Sequence, residues 1–148
     1  TLARSAEGEG RDRLVSLMNL VRDRIEFQIG TTDVTVTAAE ALRQGQGVCQ
    51  DHTHVYCAAA RLIGIPARYV SGYLFTGEAS SPATHAWVEA HDGEGWIGLD
   101  AANRLLSNDY YVRLATGLDY RDAAPVVGTR LGGGTETLNV EVGVSAQQ

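Results

Sequence analysis

Between residues 11 and 27, apolar side chains recur at Leu14, Leu17, Met18, Val21 and Ile25, with charged residues filling the intervals. Spacings of three and four predict an amphipathic helix with one buried stripe. Thr31-Thr32-Asp33 breaks the pattern and leads into a short alternating piece. Thr37 followed by Glu40 is a capping-box signature, so a short helix is expected to about Leu42, ended by Gln44-Gly45-Gln46-Gly47. From Cys49 to Ile63, the apolar positions Val55, Ala58, Ala59, Leu62 and Ile63 fit a buried helix. Gly64 supplies its C-terminal cap and Pro66 prevents continuation.

Beyond Pro66 the pattern changes to strands. Arg68 to Phe75 reads as one, and Thr76 to Pro82 as a loop long enough to border a site. His85 to Ala90 alternates, His91-Asp92-Gly93-Glu94-Gly95 carries the Asp-Gly hairpin signal, and Trp96 to Leu99 returns. Tyr110 to Ala115 is a further strand, residues 117–128 a structured loop, and Thr135 to Val144 a final strand after Gly132-Gly133-Gly134. Helices first and a mostly antiparallel sheet afterwards define an α+β architecture. With 148 residues and no long linker, one domain with one core is expected over 1–148.

Charge narrows the partners. A net charge of −6 argues against nucleic acid, because phosphate binding wants a basic face. All twelve basic residues are arginine, which fits GC-rich codon usage. No apolar run reaches the roughly 20 residues of a membrane span, and the first residues lack the apolar core of a signal peptide. Thr1 rather than Met stands first, as expected of a piece of a longer chain.

Cys49 and Cys57 fall on one expected helix, roughly 12 Å apart at 1.5 Å per residue, beyond disulfide reach. Two free thiols suit a reducing compartment, so a cytoplasmic location is expected. Cys57, two turns into an apolar helix, reads as core. Cys49 stands at a helix N-terminus just after Gly45 and Gly47, which let backbone approach a ligand closely. A helix N-terminus and an imidazolium both favour the thiolate, the nucleophilic form. His85 begins a strand whose hairpin partner ends at Asp100. A turn centred on Asp92-Gly93 places those two residues opposite one another, within hydrogen-bond reach. A carboxylate so placed holds the imidazole in its working tautomer.

A metal site built from Cys49, His52, His54, Cys57 and His85 competes with this reading. On a helix only Cys49 and His52 share a face, so zinc would require non-helical backbone there. His54 and His91 read as solvent-facing, and His52 as a neighbour of the thiol. The tyrosines and tryptophans of the strands read as core, with Trp87 a candidate wall of the site.

Five tracts resemble the bacterial transglutaminase-like family of the papain-like cysteine peptidase superfamily. They are Gly47-Val48-Cys49-Gln50-Asp51, Gly64 to Tyr73, His85-Ala86-Trp87-Val88-Glu89, Trp96-Ile97-Gly98-Leu99-Asp100 and Asp119 to Gly128. The resemblance runs from about residue 11 to 144, with 36 positions from Cys49 to His85 and 15 from His85 to Asp100. It implies a papain-like core with the Cys helix packed on the His/Asp sheet. It also implies Cys49 as nucleophile, His85 as general base and then acid, and Asp100 as orienter. Family members often carry an N-terminal β domain before this core. Eukaryotic transglutaminases stabilise the oxyanion with a Trp upstream of the Cys. No Trp precedes Trp87 here, which leaves the Cys49 amide with Gln44 or Gln46 as candidates.

The implied activity is acyl transfer at an amide bond of a protein or peptide, through a thioester. Hydrolysis by a cysteine peptidase or amidase is favoured. Transamidation of glutamine to an amine, and an idle scaffold or binding module, are the alternatives. The mechanism requires no cofactor. Calcium, used by some transglutaminases, would need a dense loop of oxygen ligands that the chain does not display.

Overall fold

A computed structural model describes residues 2–30, 36–77, 84–128, 131–135, 137 and 142–144. After a short 3₁₀ turn, Leu2–Ser5, helix α1 spans Gly10–Arg24 and buries Leu14, Leu17, Met18 and Val21. It stops short of the expected Phe27. Ile25 turns extended, and Glu26–Phe27 (β1) pair in parallel with Gln46–Gly47 (β2). Arg22 fastens this corner by donating to the carbonyls of Ile25 and Ala102.

Helix α2, Ala38–Gln44, begins with the expected box: the Thr37 hydroxyl accepts from the Glu40 amide and the Glu40 carboxylate from the Thr37 amide. Gly45, at φ +71°, closes it in a left-handed conformation that costs glycine nothing. Helix α3, Cys49–Leu62, ends as its sequence prescribes. The Gly64 amide donates to Arg61 and the Ile65 amide to Ala60, a Schellman closure with Gly64 at φ +78°.

The sheet comprises β3 (Ala67–Leu74), β4 (Thr84–His91), β5 (Trp96–Asp100), β6 (Leu105–Leu106) and β7 (Tyr111–Gly117), in the order β6-β5-β4-β3-β7. Every pairing in it is antiparallel. Alternate residues of β4 (Ala86, Val88, Ala90) join Val55, Tyr56, Ala59 and Ala60 of α3 and the apolar stripe of α1 in one core. The Tyr56 hydroxyl donates to the Leu14 carbonyl at 2.9 Å, pinning α3 to α1 while satisfying a buried polar group.

The hairpin register differs from expectation. His91 pairs with Trp96 and Val88 with Leu99, so the loop has four residues centred between Gly93 and Glu94. Asp92 explains the shift, since its carboxylate accepts from the amides of Glu94 and Gly95 and closes the wider turn. Continued, this register sets Asp100 across from Trp87, with His85 its diagonal neighbour on the same face. The expected loop over 76–82 lies mostly outside the described residues, as do much of the expected strand over 135–144 and the alternating piece after Asp33.

Candidate active site

Cys49 is the first residue of α3, partly exposed, where the helix dipole favours negative charge. The helix start is held from both sides. Asp51, itself buried, accepts the Val48 amide at 2.8 Å. A Cβ on Gly47 would lie 2.7 Å from the Asp51 side chain, so Gly47 is a glycine to make room for this carboxylate rather than for a ligand. His52 is fully buried, its ring nitrogens 2.8 Å from the Val48 carbonyl and 2.9 Å from that of Ile25. It ties the Cys49 turn to the end of α1.

His85, from β4, hydrogen-bonds through Nε2 to Oδ2 of Asp100 at 2.6 Å and borders the same cavity as the Cys49 sulfur. With Nε2 committed to the carboxylate, Nδ1 is the nitrogen left for the sulfur. Burial alone would lower the imidazole pKa, but the hydrogen bonds and charges of Asp100 and Cys49 outweigh it and raise it to about 9. Asp100 is fully buried. Burial pushes its carboxyl up, yet His85, Asn103 and Tyr111 together hold it below the usual range.

Sequence reasoning missed two of those partners. The Asn103 side chain donates to Oδ2 at 2.7 Å and its amide to Oδ1 at 3.2 Å, while the Tyr111 hydroxyl donates to Oδ2 at 2.8 Å. Asn103 lies only three residues on, in the turn after β5, and an Asp three residues before an Asn is too common to be a signal. Tyr111 arrives from β7 at the opposite side of the sheet, and nothing local marks it.

Trp87 does not wall the cleft. It is buried behind the imidazole, with ring centroids 6.2 Å from His85 and 5.3 Å from Tyr111. The cleft, a cavity of about 270 Å³, is lined by Cys49, Gln50 and His85 together with tyrosines 69, 73 and 120, Pro125 and Val126. Tyr69 is buried in the core as expected and also borders the cleft, while Tyr73, expected in the core, lines it. Gln44 and Gln46, the expected oxyanion donors, do not line this cavity, whereas Gln50 does.

His54 is not solvent-facing either. Its Nε2 accepts the Tyr120 amide at 3.1 Å, its ring lies 4.9 Å from that of Tyr69, and burial lowers its pKa. His91 accepts the Gly93 amide and packs edge-on against Trp96. The histidines of α3 therefore serve local hydrogen bonds. Among the described residues no three His, Cys, Asp or Glu side chains converge as metal ligands, and no helix is long and apolar enough to cross a membrane.

Comparison with known proteins places this geometry. An uncharacterized protein of Mycobacterium leprae is 36% identical over 143 residues, covering 93% of this chain and 51% of its own length. An uncharacterized Mycobacterium tuberculosis protein is 33% identical over 114 residues, covering 69% of this chain and 36% of its own. The chain therefore spans about half the length of one such relative and about a third of the other. Among solved structures, a "putative cysteine protease" from Cytophaga hutchinsonii superposes with TM-score 0.67 at 35% identity, covering 76% of this chain and 38% of that one. LapG of Legionella pneumophila shares the fold at 15% identity, with TM-score 0.59 over 78% of this chain and 70% of its own. The family model of the transglutaminase-like superfamily matches residues 1–101, a span that contains Cys49, His85 and Asp100, and the chain belongs to that superfamily.

Proposed function

We propose that this chain is the catalytic core of a thiol-dependent enzyme that transfers acyl groups from amide bonds, with hydrolysis as the outcome. The meeting of Cys49 and His85 at one cavity, with His85 hydrogen-bonded to the buried Asp100, carries this reading. The imidazole holds its proton at neutral pH and stands by a sulfur at a helix N-terminus, the setting in which a cysteine sulfur acts as a nucleophile. The thiolate attacks the amide carbonyl and the carbonyl electron pair moves to oxygen. His85 then gives its proton to the departing amine as the C–N bond breaks. The resulting thioester is attacked by water, whose proton His85 takes. Collapse releases a carboxylic acid and restores the pair. Asp100 keeps Nε2 of the ring engaged, so Nδ1 is always the nitrogen presented to the chemistry. The description carried by the Cytophaga hutchinsonii structure supports the same reaction class.

The purified protein would be incubated with a fluorogenic peptide-amide library and, separately, with a glutamine-bearing protein plus a labelled primary amine. Turnover of peptide amides that disappears in Cys49→Ala is the expected result. Incorporation of the labelled amine without peptide hydrolysis would replace this reading with transamidation. No Cys49-dependent product in either assay would leave the scaffold reading in its place.

A further inference from the structure

The tract from Leu118 to Val126 forms no helix or strand, yet it is fixed at many points. Within it, the Leu118 amide donates to the Asp122 carboxylate and the Ala123 amide to the Asp119 carbonyl. Arg61 of α3 donates to the Leu118 carbonyl, His54 of α3 accepts the Tyr120 amide, and Ser71 of β3 donates to the Ala123 carbonyl. Gly117 leads into it at a point where a Cβ would meet Asp122 at 2.7 Å. The backbone of this segment is thus strapped across the junction of α3 and β3. Its side chains Tyr120, Pro125 and Val126 join Tyr69 and Tyr73 in lining the cavity that holds Cys49, with the rings of Tyr69 and Tyr120 edge-on at 6.3 Å.

That cavity wall is chemically one-sided. Cys49 and His85 line it as the reacting pair, and His85 is committed to Asp100. Among the described residues no Asp, Glu, Lys or Arg lines the space. A charged side chain placed there would lose water without gaining a partner, whereas an apolar one would gain contact with tyrosine faces, proline and valine. The acyl part of a substrate stays bonded to sulfur as the thioester, so its side chains occupy the space that Cys49 itself lines.

Resting on the reaction proposed above, we infer that the strap 118–126 is a specificity element. With Tyr69 and Tyr73 it forms an uncharged pocket for a large apolar or aromatic side chain of the acyl donor. The substrates are peptides carrying such a residue beside the bond that is broken, and acidic or basic residues there are rejected.

Peptidyl-aminomethylcoumarins differing only in the residue next to the leaving group would be compared for wild type, Val126→Arg, Tyr120→Ala and Cys49→Ala. Because the leaving group is constant, the series reads the acyl side alone. For wild type, kcat/KM should be roughly 10- to 100-fold higher for Phe or Leu than for Glu or Gly. Val126 is 62% exposed at the rim, so an arginine there is tolerated by the fold. It should erase the preference for Phe over Glu, and Tyr120→Ala should weaken it. Iodoacetamide alkylation of Cys49, which needs no acyl pocket, reports in Val126→Arg and Tyr120→Ala that the thiol is intact. Cys49-dependent turnover that ignores the residue, favours a charged one, or keeps its preference in Val126→Arg would overturn the pocket while leaving the reaction standing. Absence of Cys49-dependent turnover with every peptide would overturn the reaction and the pocket with it.

Discussion

His85 keeps its proton because two partners outweigh its burial. Removing an imidazolium from water disfavours the charge, yet the Asp100 carboxylate at 2.6 Å and the Cys49 sulfur favour it, and the pKa settles at about 9. The direction fixes an expectation for the alkaline side of the reaction. Acylation of Cys49 by p-nitrophenyl acetate, followed from pH 6 to 10.5, should fall with a midpoint near 9 as the imidazolium is lost. Asp100→Asn removes the charge and allows the wrong tautomer. The rate should drop by about 10²–10⁴-fold, and the midpoint should move down, because burial then acts on the ring with less opposition. A midpoint unmoved by this substitution would mean that Asp100 does not set the protonation of His85. The Tyr111 hydroxyl shares the same carboxylate oxygen with His85 and Asn103. Tyr111→Phe should cost about 10- to 100-fold in acylation, the scale of one lost hydrogen bond to a charged group. Iodoacetamide would check that the thiol itself remains reactive.

Elements whose ends are written in adjacent residues were legible in the sequence. The Thr37–Glu40 box, the Gly64–Pro66 stop of α3 and the stripe of α1 each depend on contacts within a few positions, and each folds as its residues prescribe. The positions of Cys49 and Asp100 were legible for the same reason, since one opens α3 and the other ends β5, and His85 stands one residue inside β4. Register was less so. The Asp92 side chain selects a four-residue loop over the Asp-Gly turn, and moving the turn centre by one position moves Asp100 by two along its partner strand. His85 and Asp100 still meet because the diagonal lies on the same face. The strap, the tyrosine wall and Tyr111 depend on β7 lying beside β3, a pairing that no local pattern encodes. Gly47 was recognised, but its reason was not, because the neighbour it accommodates is the Asp51 side chain. Gly47→Ala should therefore push Asp51 off the Val48 amide and loosen the first turn of α3. A loss of about 1–2 kcal/mol is expected in denaturant unfolding, together with slower alkylation of Cys49. Unchanged stability would show that Asp51 can retreat without cost.

On the scale of the whole molecule, the two layers meet at this cavity: the helical layer contributes the sulfur, and the sheet contributes the ring and the carboxylate. Opening the fold separates them, so the proton on His85 is linked to folding. Its folded pKa of about 9 exceeds the ordinary imidazole value of 6.5. The native state therefore holds this proton more tightly than the unfolded chain does. The stabilisation is fully present below about pH 6.5 and is lost as pH rises through the folded value. Asp100 has the opposite sign. Its carboxyl is held below the usual value, so its contribution is present above about pH 4 and is lost in stronger acid. Together they place the greatest support from this pair between those limits. With the His85 side chain 12% exposed, the linkage is on the order of 3 kcal/mol, several degrees in melting temperature for a domain of this size. Melting curves of wild type and His85→Gln, taken from pH 5 to 10, isolate it from the general repulsion that affects both proteins alike. The gap between the two should be widest near pH 5.5 to 6.5 and should shrink steadily toward pH 10. A gap of constant size would mean that the proton on His85 contributes nothing to holding helix and sheet together, and that the pair is only a feature of the site.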